Sequence, residues 1–140
     1  KNMTKKEWLN RAWRLELEIR ALEQEKERAF GRACSTTGQT ADDRVQTSKS
    51  NGSESRFASY ADYSMFLDKK IDQLYDVKKE VLDAIAEVDN PVYRALLTDR
   101  YINFKKWEQI AVDINYDYYH VIKRLHPRAV AKIKIPPNAT

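Results

Sequence analysis

The feature that most constrains this chain is the spacing of its apolar residues in two long stretches that contain no proline. Trp8, Ala12, Leu15, Ile19 and Leu22 recur at steps of four, three, four and three. Leu67, Ile71, Leu74, Val81, Ile85 and Val88 keep a similar heptad-like rhythm. Such steps line up on one side of a helix with 3.6 residues per turn and do not suit a strand, whose faces alternate every second residue. The predicted fold class is therefore all-α: a long N-terminal helical hairpin, coiled-coil-like and self-associating, followed by a smaller C-terminal helical domain.

The punctuation around these stripes sets the expected boundaries. Thr4 and Glu7 form a capping box, so the first helix should begin near Lys5 and can run to Ala33, giving a first segment over 1–34. Lys6, Arg14, Glu18, Glu25 and Arg28 fall opposite the stripe and should be solvated. Residues 35–55, STTGQTADDRVQTSKSNGSES, hold one branched aliphatic residue, Val45. They cannot bury enough apolar surface to order themselves and read as a flexible linker. A second long helix is expected within 56–89, from about Phe57 to Val88, as an oligomerisation arm. Tyr63, Phe66, Val77 and Leu82 widen its stripe beyond one seam. Two helices paired only with each other would leave this surplus uncovered, which calls for a bundle made with the C-terminal helices or with a second copy.

A separate domain is expected over 90–140. Asn90 is a good N-cap and Pro91 suits a first helical position, so a helix should cover Pro91 to about Tyr101 with Tyr93, Leu96, Leu97 and Tyr101 facing inward. The next helix, about Lys106 to Ile114, turns Trp107, Ile110 and Ile114 inward. Ala111 is small enough for a close helix crossing. Four residues on, Asn115 tolerates positive φ better than any residue but glycine. Tyr116 should be the buried anchor of the turn and Asp117 the N-cap of the following helix, with Val121 and Leu125 packing back. Small residue, left-handed residue, N-cap and apolar anchors at these intervals describe a helix-turn-helix DNA reader.

One position departs from that layout. Thirteen residues after Ala111, where an apolar side chain belongs, stands Arg124; Leu125 takes its place if the helix is rotated. The second helix would present Asp117, Tyr118, Tyr119, His120, Lys123 and Arg124 to a groove, the tyrosines to phosphates or thymine methyls and the cations to guanine edges or phosphates. Tyr118 and Tyr119 are equally candidates for packing. Lys105 and Lys106 before the motif, and Arg128 and Lys132 after it, extend the candidate DNA-binding set. His126 precedes Pro127, a position biased away from α, so a kink or break is expected there. A last segment, Arg128 to Ile135, should pack through Ala129, Val130 and Ile133 and leave Lys132 and Lys134 outside.

Charge falls where this motif lies. Residues 1–90 carry 16 Lys/Arg and 17 Asp/Glu, net −1; residues 91–140 carry 9 and 4, net +5. A basic excess on the motif fits a polyanionic partner. Enzymatic chemistry is not expected: there is no phosphate-binding glycine loop, no metal-ligand spacing and no serine or cysteine paired with a base, so neither cofactor nor metal is implied. His120 and His126 are six apart, on different helix faces. Asp113 and Asp117 are separated by the turn, and Asp117 already caps. No window of 18 apolar residues could span a membrane, and KNMTKKEW lacks a signal-peptide core. The single cysteine, Cys34, reads as a buried or incidental thiol and suits a reducing cytoplasm.

The stretch LLTDRYINFKKWEQIAVDINYDYYHVIKRLHPRAVAKIK resembles the C-terminal helix-turn-helix of small phage transcriptional regulators of the RinA/ArpU type, and MTKKEWLNRAWRLELEI and VLDAIAEVDNPVYRALLTDRY look like that group too. The C-terminal layout is also similar to region four of bacterial sigma factors, with Trp107, Ile110, Ala111, Tyr116 and Leu125 at matching positions. The resemblance implies a phage or prophage protein, in the bacterial host cytoplasm, that binds double-stranded promoter DNA as a homo-oligomer, a dimer first of all. It would activate late, packaging or structural genes and could contact host RNA polymerase. Two other readings stay open: a small terminase-like DNA-packaging subunit, and a polymerase-docking module whose basic face touches no DNA.

Overall fold

The computed structural model describes residues 3–34 and 46–137 and contains, among them, helices and connecting turns but no strand. In chain order the elements are α1 (Lys5–Leu9), α2 (Arg11–Cys34), α3 (Gln46–Ala86), α4 (Pro91–Tyr101), α5 (Trp107–Ile114), α6 (Tyr118–His120), a π-helical turn (Val121–Leu125) and α7 (His126–Ala131). None of the described helices is long and apolar enough to cross a membrane.

The capping box forms as its residues dictate. The Glu7 amide donates to Thr4 Oγ1 at 3.1 Å and the Thr4 amide to Glu7 Oε1 at 2.9 Å. The expected single first helix is interrupted, however, by a turn at Asn10. Trp8 and Leu9 are adjacent in sequence, about 100° apart on a helix, and both are completely buried. Arg11 stabilises the break: its Nε donates to the Trp8 carbonyl at 3.0 Å and its guanidinium lies over the Trp8 ring.

The second long helix begins eleven residues earlier than expected, at Gln46 instead of Phe57. Residues 46–55, expected as linker, are helical; 35–45 lie outside the described residues. The helical stretch contains no proline, and extending an existing helix costs far less than nucleating one, so polar composition does not by itself stop it. Cys34, expected as a buried or incidental thiol, is exposed.

The described residues fall into two compact units, one within Lys1–Leu15 and Leu74–Thr140, the other within Glu16–Gln73. This differs from an arm-plus-domain division at residue 90. Trp8, Leu9, Val81, Ile85 and Val88 belong to the same core as the C-terminal helices, so apolar packing draws both chain regions into the first unit. Leu96 and Leu97 of α4, Ile110 of α5, and Val121 and Ile133 further on complete its fully buried centre. Asn90 caps α4, its Oδ1 accepting from the Val92 and Tyr93 amides at 2.8 and 3.3 Å. Arg94 closes the α3–α4 turn through the Val88 and Asp89 carbonyls. Lys5 Nζ reaches the Ala131 carbonyl at 2.8 Å and satisfies one of the free acceptors at the end of α7.

The second unit is a helix pair. Ile19, Ala29, Ala33 and Leu67 are its buried residues among those described. Glu18 and Lys70 join the helices at 3.2 Å, and Phe30 packs on Tyr60 at 5.3 Å between ring centres. Leu17, Phe30, Phe57, Met65 and Phe66 stay about half or more exposed; of the residues expected to widen the stripe, Phe66 and Leu82 are exposed, Tyr63 is half-buried and Val77 packs on the core of the first unit.

Two non-glycine residues take positive φ. Phe104 (φ 58°) sits in the α4–α5 loop, held by its ring against Trp13 and Lys78. Asn115 (φ 63°, ψ 49°) ends α5, as its sequence position indicates. The Tyr116 amide donates to the Ala111 carbonyl at 3.0 Å and the Asn115 amide to Val112 at 3.2 Å, the paired bonds of a Schellman closure. Because glycine reaches this conformation without penalty and alanine does not, Asn115→Gly should leave stability within about 0.5 kcal/mol, whereas Asn115→Ala should lose about 1 kcal/mol. Urea unfolding of both variants checks this; equal losses would show that the Asn115 amide, not the backbone, matters.

Candidate nucleic-acid interface

The residues from Tyr118 onward form one helical rod, not the broken helix that His126–Pro127 suggests. His126 is in the right-handed α region (φ −61°, ψ −51°) although it precedes a proline. The strain is relieved upstream. In a regular α-helix Pro127 would deprive the Lys123 carbonyl of its donor and collide with it. Instead the chain makes a π turn, in which the His126 amide donates to the Val121 carbonyl five residues back. A π turn inserts one residue into the helix and rotates everything after it by about 100°.

This insertion explains the misplaced Arg124. Leu125 is buried and Arg124 is exposed, one residue out of the expected phase. Four-residue steps overshoot each α-helical turn by about 40°. The inserted residue recovers that drift, so Val121, Leu125 and Ala129 all stay against the core. The same spacing keeps Arg124, Arg128 and Lys132 in a row on the outside, with Tyr119 and Lys123 beside it.

The residues expected to touch DNA differ in their surroundings. Lys123, Arg124, Arg128 and Lys132 are exposed and form no ion pair with any described residue. Tyr119 is 67 % exposed, its ring edge-on to Tyr118. Tyr118 packs against the core, so its packing role prevails. Asp117 caps α6: its Oδ2 accepts from the Tyr119 and His120 amides at 3.1 and 3.2 Å. His120 is half-buried and stacks on Tyr116, 5.6 Å between ring centres. Tyr116 is not the buried anchor expected; it is 43 % exposed, because the Schellman turn carries its ring outward over His120. Ile114 and Tyr118 pack against the core on either side of it.

Lys106 is exposed at the start of α5. Lys105 is not free: Nζ lies 2.8 Å from Asp113 and 3.6 Å from Asp99. The Asp113 hydrogen bond holds the Lys105 pKa above its ordinary value, and Lys105, then Gln109, hold Asp113 below the usual carboxylate value. The Lys105 charge is thus engaged within the fold. Residues 118–137 contain five Lys/Arg and no Asp/Glu. An open cleft of about 540 Å³ on the other side of the turn is lined by Glu108, Ala111, Val112, Asn115, Tyr116, Asp117 and Tyr118. Its two carboxylates would repel phosphate, so it is not part of the basic face. Among the described residues no cluster of His, Cys, Asp and Glu could hold a metal ion.

Behind the basic face lies a feature that charge and periodicity did not reveal. His126 is the buried polar residue of this unit, 8 % exposed. Its Nε2 is 2.6 Å from the Tyr101 hydroxyl, and its ring is 4.5 Å from that of Trp107. The Arg100 guanidinium lies over the same indole, 4.6 Å from its centre. Burial pushes the Tyr101 pKa up to about 12, with Arg100 opposing, so the hydroxyl keeps its proton. Burial, with smaller contributions from Lys6 and Arg100, pushes His126 down to about 4, so the ring is neutral. The hydroxyl and Nε2 share one hydrogen bond, and the ring tautomer decides which of them donates. The four-residue spacing of His126 from Ile122 and Val130, both half-buried, is the one sequence signal for this inward position.

A histidine whose folded-state pKa is depressed binds fewer protons folded than unfolded. Its contribution is complete above the unfolded value of 6.5 and is lost as pH falls toward about 4, in total roughly 3 kcal/mol at most. Melting temperatures of the natural chain and of His126→Gln, measured from about pH 7 down to about pH 4.5, should therefore converge as pH falls; parallel curves would show that His126 is not buried in its neutral form. Comparison with known protein families, with characterised proteins and with solved structures finds no match for this chain.

Proposed function

We propose that this chain binds double-stranded DNA through the helix from Tyr118 to Ala131 and acts as a transcription regulator in a bacterial host, as an activator of phage or prophage genes. The observation that carries the reading is the stretch 118–137: twenty residues with five cations and no carboxylate, whose helical part, Tyr118 to Ala131, is joined by a tight left-handed turn to a shorter helix that packs behind it. Tyr119, Lys123, Arg124 and Arg128 are the contact residues, with Lys132 and Lys106 on flanking phosphates. Phosphate contacts supply affinity; Tyr119 and the arginines supply base contacts.

Self-association belongs to the same reading. The helix pair within Glu16–Gln73 buries few side chains and leaves five large apolar ones half exposed, which a second copy would cover. A dimer would then read two half-sites about one or a few helical turns apart. A large closed ring measured in solution would instead favour a DNA-packaging subunit. The carboxylate-flanked cleft beside Val112, away from the cations, suits a protein such as RNA polymerase more than nucleic acid.

Gel shifts with the full chain test the DNA reading. Binding should weaken steeply with salt, and Lys123→Ala or Arg128→Ala should each lower the slope of log affinity against log salt by about 0.9 for each phosphate that the removed cation neutralised. Lys105→Ala should leave that slope unchanged, because its charge is engaged by Asp113 and Asp99. Unaltered binding by Lys123→Ala, Arg128→Ala and Tyr119→Ala together would remove this helix as the reading surface.

A further inference from the structure

The helix that carries the exposed cations is held by two kinds of contact. Val121, Leu125 and Ala129 press on the core through aliphatic surface, which is non-directional. His126 is different. It stands between the π turn and Pro127, and its one polar contact, 2.6 Å to the hydroxyl of Tyr101, is directional and almost completely removed from water. Tyr101 is the last residue of α4, and Trp107, whose ring lies 4.5 Å from that of His126, is the first of α5. One side chain thus ties the rod to both helices that precede it.

We propose that His126, held by Tyr101 and Trp107, is the positioning residue that fixes the rotation of the C-terminal half of the DNA-reading helix, and thereby its sequence specificity. Without the π insertion, Leu125 would leave the core and Arg124 would turn toward it. A one-residue rotation in that sense also separates Nε2 from the Tyr101 hydroxyl, leaving two buried polar groups unpaired, a state that folded proteins avoid. Pro127 removes the hydrogen bond that an uninterrupted α-helix would gain in exchange. The two devices act together: the proline disfavours the regular helix, and the histidine selects the single rotation in which Arg124, Arg128 and Lys132 extend the face begun by Tyr119 and Lys123.

The inference rests on the DNA-binding reading, and the two fail differently. A preferred site is first selected from random DNA with the full-length natural chain. The affinity ratio between that site and random-sequence DNA is then measured for the natural chain, His126→Leu, Tyr101→Phe and His126→Gln. A loss of folding lowers both affinities alike and cancels in the ratio; altered rotation does not. The ratio should fall by about tenfold, equivalent to one base contact, in His126→Leu and Tyr101→Phe. It should stay within about threefold in His126→Gln, whose side-chain amide can accept from or donate to the hydroxyl. Low-salt retention on random DNA should stay within about threefold in all of them, since it follows the number of cations. A ratio unchanged in Tyr101→Phe overturns the positioning role while leaving DNA binding intact; so does a His126→Gln as impaired as His126→Leu. If His126→Leu does not fold, Tyr101→Phe, which removes a single oxygen, decides alone. A natural chain that retains no DNA at low salt overturns both readings.

Discussion

Pro127 cannot donate a backbone hydrogen bond, and it stands inside the helix that carries the exposed cations Lys123, Arg124 and Arg128. Much of the C-terminal region follows from how the chain meets that constraint. It widens the preceding turn so that the His126 amide reaches Val121, and the helix continues past the proline as one rod. The inserted residue changes the phase of everything after it. Leu125 moves into the core, Arg124 moves out, and Arg128 and Lys132 follow on the same side. A proline that would end most helices here lengthens a charged face.

The opposite end of the rod is set by backbone geometry. Asn115 reverses the chain with both closing hydrogen bonds made, and the Asp117 Oδ2 is engaged by the first amides of α6. The acidic residues of the region are used or kept apart. Asp99 and Asp113 hold Lys105, and Glu108 and Asp117 border the cleft beyond the turn. The cations from Lys123 to Lys134 meet no carboxylate within their own segment, which leaves that segment net positive.

Beneath that face, Tyr101, His126, Trp107 and Arg100 make contact in succession. A buried imidazole costs solvation and is retained only if its partner is well placed. The resulting pair adds directionality to a core otherwise made of aliphatic groups. In the other unit no comparable polar device appears among the described residues, and several aromatic and aliphatic side chains remain in solvent. The first unit also exposes large apolar side chains, Tyr75, Leu82 and Val112 among them.

Local features are legible in the amino-acid order because each depends on a few neighbouring residues. The Thr4–Glu7 box, the Asn90–Pro91 start, the left-handed Asn115 and the Asp117 cap are all where residue chemistry puts them. The apolar spacing also identifies much of the core and the all-α class, but it misses Leu9, Ala29, Ala33, Ala84 and Ile102. Features that depend on contacts distant in sequence are not legible in this way. The break at Asn10 follows from Trp8 and Leu9 being buried in one core with helices some eighty or more residues on. Lys105 reads as a free cation until the fold brings Asp99 and Asp113 to it. Tyr116 reads as an anchor until the closed turn aims its ring outward. Proline chemistry foretells trouble at His126 but cannot choose between ending the helix and widening it. That choice is made in three dimensions, because the buried hydroxyl of Tyr101 and the ring of Trp107 stabilise the widened turn.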